Sequence, residues 1–111
     1  MNDNDEIKEI TVIELNSKIV ANDQFELIDV RTYDEYNHSN IKHARHIPLD
    51  ELEAKLSYFN PDKEYVLQCR SGGRSYKAAQ FLKQNGITNV SNLIGGLIDW
   101  SEKIDSSIEV K

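Results

Sequence analysis

The sequence predicts an α/β domain in which helices cover both faces of a largely parallel β-sheet. Two observations on the apolar residues support this fold class, and the length of the chain indicates the number of domains. Short apolar runs that are rich in strand-forming residues alternate along the chain with segments whose apolar residues recur at helical spacing. The 111 residues suit one domain with one core, and no linker-like segment divides them. Strands that are buried on both faces of a parallel sheet are expected to be mainly apolar, as these runs are.

The first half of the chain is predicted to contain three strands and two helical segments. Residues 10–22 begin as a short strand and continue as a helix from Ile13. Residues 25–30, FELIDV, form an apolar run that is typical of a buried strand. Residues 31–44 are polar and hold one helical turn, and residues 44–49 form a short strand that ends at a proline.

The second half is predicted to contain three helices and two strands. Leucines recur at helical spacing in residues 49–59, which indicates a helix. Residues 64–69, EYVLQC, form another buried strand, and residues 75–85 form a helix that ends before a glycine. A strand over residues 89–96 runs into a Gly-Gly turn, and residues 97–104 form the last helix.

Composition and charge restrict the partners of the domain. Its formal net charge of −6 disfavours nucleic-acid binding, because neutralisation of phosphates dominates that affinity. No apolar run approaches the ~18 residues of a membrane span, and the acidic N-terminus lacks the basic and apolar regions of a secretory signal. The single cysteine cannot form an internal disulfide. We therefore expect a cytoplasmic protein that binds neither nucleic acid nor membrane.

The domain is expected to span residues 10–104. A flexible tail is expected over residues 1–9, and a C-terminal tail over residues 105–111. No exposed apolar heptad or stripe is evident in the sequence, so we expect a monomer.

The chemistry is concentrated in the segment YVLQCRSGGRSYKAAQFL, residues 65–82. Cys69 ends a predicted strand and Ser75 opens a predicted helix, so the residues between them form a loop. In open parallel sheets, ligands bind at the carboxyl ends of the strands, where such loops lie. Two of the four arginines of the chain, Arg70 and Arg74, belong to this loop.

The glycines of this loop suit it to binding an anion. Gly72 and Gly73 permit backbone angles that are closed to other residues, so the loop can aim its N–H groups at one point. Together with the arginines, these groups are expected to lower the pKa of the Cys69 thiol and to make it a thiolate at neutral pH. A lone cysteine in a strand is most often a small core residue. Here the glycines, the arginines and the helix start converge behind it and indicate a nucleophile.

Two uses of such a thiolate are attack on phosphorus, as in cysteine phosphatases, and attack on sulfur, which yields a persulfide. The spacing from Cys69 to Arg74 is Cys-x4-Arg. Phosphatase loops wrap a tetrahedral phosphate and use Cys-x5-Arg. The shorter loop favours a smaller group, such as one added sulfur atom, and leaves phosphatase or arsenate reductase activity as the less favoured alternative.

Three segments of the chain resemble motifs of the rhodanese-homology family, whose single-domain members are sulfurtransferases. The signature Cys-x-x-Gly-x-Arg-Ser/Thr runs from Cys69 to Ser75. LIDVRTYDEY, residues 27–36, resembles Leu-x-Asp-Val-Arg-x-x-x-Glu-Tyr. NLIGGLIDW, residues 92–100, resembles Asn-Leu-x-Gly-Gly-x-x-x-Trp. The resemblance covers nearly all of residues 10–104.

The resemblance implies a five-stranded, mostly parallel sheet with helices on both faces. It implies that Cys69 takes a sulfane sulfur from a small sulfur-containing anion, such as thiosulfate, and passes it on from a persulfide. The acceptor would be a thiol, cyanide or a protein, and no metal or organic cofactor is needed. The alternative is a non-catalytic or relay role as a persulfide carrier or sensor. The residues expected to bind substrate are those of the loop: Arg70, Ser71, Gly72, Gly73, Arg74 and Ser75.

One segment departs from the family pattern. Where the family usually has Gly-His-Ile-x-Gly-Ala, this chain has SNIKHA, residues 39–44. Ser39 and His43 replace glycines and lack the backbone freedom of glycine, and Asn40 replaces a histidine. The replacements concern the conformation of this segment more than the chemistry at Cys69.

Charged residues in the second motif are expected to support the loop. We expect Glu35 to pair with Arg74 as a bidentate carboxylate. We expect Asp29 and Arg31 to brace the loops structurally.

Other side chains that could carry chemistry are assigned to structural positions. His38, His43 and His46 have no accompanying cysteine or carboxylate framework, so no metal site is predicted. Tyr76 is a candidate for the rim of the pocket, and Trp100 is expected in the core.

Overall fold

A five-stranded sheet forms the centre of the domain in the computed structural model, which describes residues 6–111. The strands are β1 (Lys8–Ile10), β2 (Glu26–Asp29), β3 (Ala44–His46), β4 (Tyr65–Gln68) and β5 (Val90–Leu93). Their order is β1-β5-β4-β2-β3, and all neighbouring strands pair in parallel. The predicted α/β class with a parallel sheet is confirmed.

Helices cover both faces of this sheet, as expected. The helices of the described residues are α1 (Val12–Val20), α2 (Tyr33–His38), α3 (Gly73–Gln84) and α4 (Gly96–Lys103). Helix α3 covers one face through an apolar cluster that includes Ala79, Leu82 and Leu67. Helices α1 and α4 cover the other face through a cluster that includes Leu15 and Leu97. None of the described helices combines the length and the apolar character that crossing a membrane requires.

The parallel sheet brings distant parts of the chain to one edge. Strand β4 is buried along its whole length and β2 along most of it, which explains why both read as apolar runs. Because parallel strands all end at the same edge, Asp29, Cys69 and Leu93 mark the carboxyl ends of the neighbouring strands β2, β4 and β5 there. This edge carries the candidate site.

Residues 49–59 differ most from the predicted elements. Instead of one α-helix, they form two 3₁₀ helices, Leu49–Glu51 and Leu56–Tyr58, with turns between them. The apolar side chains do face inward, and both Leu52 and Phe59 are buried. The spacing of three residues from Leu49 to Leu52 suits a 3₁₀ turn as well as an α-helix, and the spacing of four from Leu52 to Leu56 falls in the turns between the two 3₁₀ helices. The apolar pattern therefore could not distinguish this arrangement from one α-helix.

The expected N-terminal tail is partly wrong. Lys8 and Glu9 lie in β1, which pairs in parallel with β5, so the domain begins before residue 10. Both side chains are exposed, and strand pairing through the backbone does not need apolar residues, which is why the short strand was predicted to begin at residue 10 and not at Lys8. Residues 1–5 of the expected tail lie outside the described residues.

The C-terminal residues lie against the domain. Ile108 and Val110 pack against the apolar cluster of α1 and α4. The hydroxyl of Ser101 donates to the Ile108 carbonyl at 2.6 Å. The segment expected as a C-terminal tail therefore contributes to the packing of this face.

Candidate active site

The loop around Cys69 is tighter than the sequence predicted. Strand β4 ends at Gln68, and α3 already begins at Gly73 rather than at Ser75. The turn depends on Gly72, the N-terminal cap of α3, whose φ of 114° and ψ of −8° lie in a region that strains other residues. The sulfur therefore sits directly below the first turn of a helix.

Hydrogen-bond donors converge on the sulfur. The N–H of Gly72 donates to Cys69 Sγ at 3.1 Å, and the N–H of Ser75 at 3.4 Å. The Ser75 hydroxyl lies 3.3 Å from the same sulfur. Cys69 and Ser75 are 1% and 0% exposed, so this arrangement holds the thiol in a nearly dry pocket of backbone donors.

These donors determine the ionisation of the thiol. Burial raises the pKa of Cys69, but hydrogen bonds from the Ser75 hydroxyl and from the N–H groups of Ser75, Gly72 and Ser71 outweigh it. The pKa of Cys69 is therefore lower than its ordinary value, which increases the fraction of nucleophilic thiolate. Hydrogen bonds, more than the arginines, produce this shift.

Helix α4 holds the loop from the other side. The N–H of Leu97 donates to the Cys69 carbonyl at 2.9 Å, and the N–H of Ile98 donates to the Arg70 carbonyl at 3.1 Å. A Cβ on Gly96 would lie 2.6 Å from both carbonyl oxygens. The Gly-Gly turn of the third motif thus lets α4 approach the loop closely, and it occupies carbonyls that would otherwise repel an anion.

Glu35 and Arg74 form the expected bidentate pair. Arg74 Nη1 and Nη2 donate to the two carboxylate oxygens at 2.6 and 2.9 Å. The hydrogen bond from Arg74 lowers the pKa of Glu35 to about 2 despite partial burial, and the N–H of Thr32 assists. Thr32 also caps α2 through a reciprocal bond with Glu35, so the carboxylate is fixed from two sides.

Asp29 and Arg31 form a buried pair behind this contact. Arg31 Nε lies 3.0 and 3.1 Å from the carboxylate oxygens of Asp29, and Nη2 lies 2.8 Å from one of them. The same guanidinium donates to the carbonyls of Glu35 and Ser39, at the C-terminal end of α2. This pair anchors α2 to the end of β2.

The segment that departs from the family pattern needs no glycine in this chain. Ser39 has a φ of −165°, which is extended backbone, and the Asn40 amide donates to the Tyr36 carbonyl at 3.0 Å. Among the described residues, Asn22 is the only non-glycine residue with a positive φ. Ser39, Asn40 and His43 therefore adopt ordinary backbone angles.

The remaining loop residues face solvent. Arg70 and Ser71 are exposed, and the Arg70 Nε donates to the Lys111 carbonyl at 2.9 Å. A Cβ on Gly73 would meet no other atom within 4 Å. Beside the loop, a cleft of about 450 Å³ is lined by Val30, Pro48 and Arg74 among other residues. Arg74 thus borders both the loop and a mainly apolar cleft.

Other candidates from the sequence take structural positions. His46 stacks on Tyr36 and contacts the Arg31 carbonyl at 2.7 Å. No group of three potential metal ligands occurs within residues 6–111. Tyr76 belongs to α3 and is half-buried against the apolar cluster that this helix covers. Trp100 is buried in the apolar cluster of α1 and α4.

Sequence reasoning missed two residues of the site, Asn92 and Glu9. Asn92 contacts Ser75 at 2.5 Å, and its amide donates to the carboxylate of Glu9 at 2.9 Å. The available signals for Asn92 were its position as the first residue of the motif NLIGGLIDW and its polar side chain inside the predicted strand over residues 89–96. Nothing in the exposed Glu9 indicated its contact.

This combination of a parallel sheet, a cysteine loop and a Gly-Gly turn is that of the rhodanese-like proteins. The chain belongs to the Rhodanese-like domain family, which matches residues 11–103. It is 40% identical over 95 residues to "Putative sulfurtransferase YtwF" of Bacillus subtilis (strain 168), covering 86% of this chain and 91% of YtwF.

Two further comparisons extend this result. The chain is 33% identical over 99 residues to "Putative sulfur carrier protein YrkF" of Bacillus subtilis (strain 168), covering 89% of this chain and 54% of YrkF. A rhodanese-like domain protein from Staphylococcus aureus has a solved structure with a TM-score of 0.83 and 34% identity, covering 95% of this chain and 99% of that one. The family resemblance and the rhodanese-like fold are confirmed.

Proposed function

We propose that the protein is a sulfurtransferase that carries sulfane sulfur as a persulfide on Cys69. The observation that carries the proposal is the convergence of the Gly72 and Ser75 N–H groups on a buried sulfur. Family membership and the similarity to a protein named as a sulfurtransferase support it. Thiosulfate as the donor and a thiol, cyanide or a protein as the acceptor are proposed from the family resemblance.

In the first half-reaction, the Cys69 thiolate attacks the outer sulfur of thiosulfate. A new S–S bond forms, the S–S bond of the donor breaks, and sulfite leaves with the electron pair. The terminal sulfur of the persulfide carries the negative charge. The N–H groups at the start of α3 are directed at Cys69 Sγ. The terminal sulfur would be bonded to that atom, so these N–H groups would lie close enough to stabilise its charge with little rearrangement.

In the second half-reaction, a thiolate or cyanide attacks the terminal sulfur, and the Cys69 thiolate leaves. Hydrogen bonds that lower the pKa of Cys69 also make it a better leaving group. We propose that the acceptor enters through the cleft beside Arg74. Two half-reactions with a covalent intermediate predict ping-pong kinetics.

We propose distinct roles for the two arginines of the loop. Arg74 is held by Glu35 and bounds the cleft, so it would orient the anionic donor there. Arg70 is exposed and could reach the donor on leaving the Lys111 carbonyl. Ser71 and Gly73 would contribute backbone N–H groups rather than side chains.

A relay role is the second candidate. The similarity to a protein named as a sulfur carrier favours it, because a carrier needs the same persulfide but a protein acceptor. Phosphatase chemistry is disfavoured by the short Cys-x4-Arg loop. We also propose a cytoplasmic, monomeric protein that works without metal or organic cofactor, since an unpaired reactive thiol persists best in a reducing compartment.

The experiment is a steady-state assay of thiocyanate formation from thiosulfate and cyanide, with a parallel assay that uses a small thiol as acceptor. Wild-type protein is expected to turn over with parallel double-reciprocal plots, and Cys69→Ser to be inactive while folded. Turnover by Cys69→Ser would contradict the proposal. Sulfur loading without turnover to either acceptor would favour the relay role.

A further inference from the structure

A hydrogen-bond chain runs from Cys69 to the edge strand of the sheet. Ser75 Oγ lies 3.3 Å from Cys69 Sγ and 2.5 Å from Asn92 Oδ1. Asn92 Nδ2 donates to the Gly72 carbonyl at 3.1 Å and to the Glu9 carboxylate at 2.9 Å. Ser75 and Asn92 are both buried, so water does not readily replace these contacts.

The partners of Asn92 fix the orientation of its amide. The Glu9 carboxylate and the Gly72 carbonyl are acceptors only, so each must receive a proton from the amide nitrogen. The opposite orientation would place the amide oxygen against two other acceptors. The Asn92 oxygen therefore faces Ser75, and it can only accept a proton from the Ser75 hydroxyl.

Ser75 has one hydroxyl proton and two acceptors that compete for it. When Cys69 is a neutral thiol, the hydroxyl donates to Asn92 and accepts from the S–H group, so every group is paired. When Cys69 is a thiolate, the hydroxyl either turns to the sulfur or stays on Asn92. If the hydroxyl turns to the sulfur, the buried amide oxygen of Asn92 is left without a donor. If the hydroxyl stays on Asn92, it presents an oxygen lone pair to the thiolate.

We propose that Asn92 is a positioning residue that competes with Cys69 for the hydroxyl proton of Ser75 and thereby restrains ionisation of the thiol. Taken alone, the hydrogen bond from the Ser75 hydroxyl lowers the pKa of Cys69 more than any of the backbone N–H groups does. The competing bond to Asn92 offsets this contribution and leaves the backbone N–H groups, which have no competing acceptor of this kind, as the main stabilisers of the thiolate. This restraint serves the chemistry, because the nucleophilicity of a thiolate falls as its pKa falls. The inference rests on the proposed use of Cys69 as the nucleophile.

The charged groups around the loop already have partners. Arg70 binds the Lys111 carbonyl, Arg74 of α3 pairs with Glu35 of α2, Asp29 of β2 pairs with Arg31, and Glu9 of β1 binds Asn92. Substitution of Asn92 or Ser75 leaves the first three contacts in place. Loss of Asn92 frees only the Glu9 carboxylate, and a nearby free anion would raise the pKa of Cys69, opposite to the change expected below.

The test measures the pKa of Cys69 from the pH dependence of its alkylation by iodoacetamide. The proteins are wild type, Asn92→Leu, Ser75→Ala and the double variant; leucine nearly matches asparagine in volume and has no polar side-chain atom. Asn92→Leu is expected to lower the pKa by about one unit, since the freed hydroxyl can donate to the thiolate. In the Ser75→Ala background, Asn92→Leu is expected to leave the pKa of Cys69 without this decrease, because no hydroxyl is present to donate.

Ser75→Ala alone supplies a second result that does not require substitution of Asn92. It is expected to change the pKa of Cys69 by less than about half a unit, because the gain and the cost of turning the hydroxyl offset each other. A rise of one unit or more in Ser75→Ala would overturn the proposal.

A purely structural role for Asn92 gives the opposite sign. Loss of its bond to the Gly72 carbonyl would loosen the N–H donors and raise the pKa of Cys69 with serine or alanine at position 75. That outcome would also overturn the proposal. Alkylation does not require a sulfur donor, so failure of this inference is distinguishable from failure of the proposed sulfur transfer.

Discussion

Two arginine–carboxylate pairs flank the active loop, and they differ in burial. The side chains of Arg31 and Asp29 are 1% and 0% exposed. Those of Arg74 and Glu35 are 35% and 16% exposed, at the start of α3. The buried pair also holds the carbonyls at the end of α2, whereas the outer pair borders the cleft.

We propose that the inner pair supports the structure and that the outer pair takes part in donor binding. The inner pair fixes α2 onto β2 and has no open side toward solvent. The outer pair is attached to α2 through Glu35, so the inner pair positions Arg74 indirectly. One motif, LIDVRTYDEY, supplies three of the four residues, and only their burial reveals that they have different roles.

Breaking the inner pair should have the largest effect on stability. Arg31→Met leaves the Asp29 carboxylate buried without its partner, and we expect it to lower the free energy of unfolding by about 3–5 kcal/mol. Urea denaturation followed by circular dichroism measures this change. Asp29→Leu combined with Arg31→Met should recover part of the loss, because no unpaired charge remains.

A matched control is Arg45→Met, which removes an exposed guanidinium paired with Glu26. We expect a change of at most about 1 kcal/mol there. Equal losses for Arg31→Met and Arg45→Met would contradict the structural role of the inner pair.

The outer pair should appear in the pH dependence of stability. The pKa of Glu35 is about 2 in the folded protein, below its ordinary value of 4.5, mainly because of the hydrogen bond from Arg74. A carboxylate with a lowered pKa contributes stability above the unfolded pKa, and this contribution is lost as the pH falls toward the folded pKa. Between about pH 5 and 2, the free energy of unfolding should therefore fall more in wild type than in Glu35→Gln. Parallel curves from urea titrations would contradict the pairing.

The smallest effect is expected for the pKa of Cys69 when Arg74 of the outer pair is removed. Arg74→Ala should change the pKa of Cys69 by less than about half a unit, because hydrogen bonds lower that pKa more than the arginines do. Its KM for thiosulfate should rise, since Arg74 is proposed to orient the donor. Alkylation rates and donor titration measure the two effects separately, and a rise of a full pKa unit would assign the ionisation to Arg74 instead.

The sequence predicted the sheet and the loop because both depend on local signals. Apolar runs identified β2 and β4, and the glycines behind Cys69 indicated the tight turn at the start of α3. Residues 49–59 were assigned the wrong helix type because apolar spacing fits both kinds of turn. The first strand was predicted to begin at residue 10, two residues too late, because Lys8 and Glu9 join β5 through the backbone and have no apolar side chain.

The site was predicted only as far as the motifs extend. The contact of Glu35 with Arg74 was expected, but the relative burial of the two ion pairs depends on how α2 packs against β2. The contacts of Asn92 link β1, β5 and α3, which are distant in sequence. No local pattern encodes them, because they exist only when the sheet has assembled.

The most direct test of the central claim is the intact mass of the protein after incubation with thiosulfate, before and after treatment with a reductant. We expect wild-type protein to gain one sulfur atom, to lose it on reduction, and to show neither change in Cys69→Ser. Wild-type protein that gains no sulfur from thiosulfate or from an organic sulfane donor, or a gain that persists in Cys69→Ser, would contradict the proposed persulfide on Cys69.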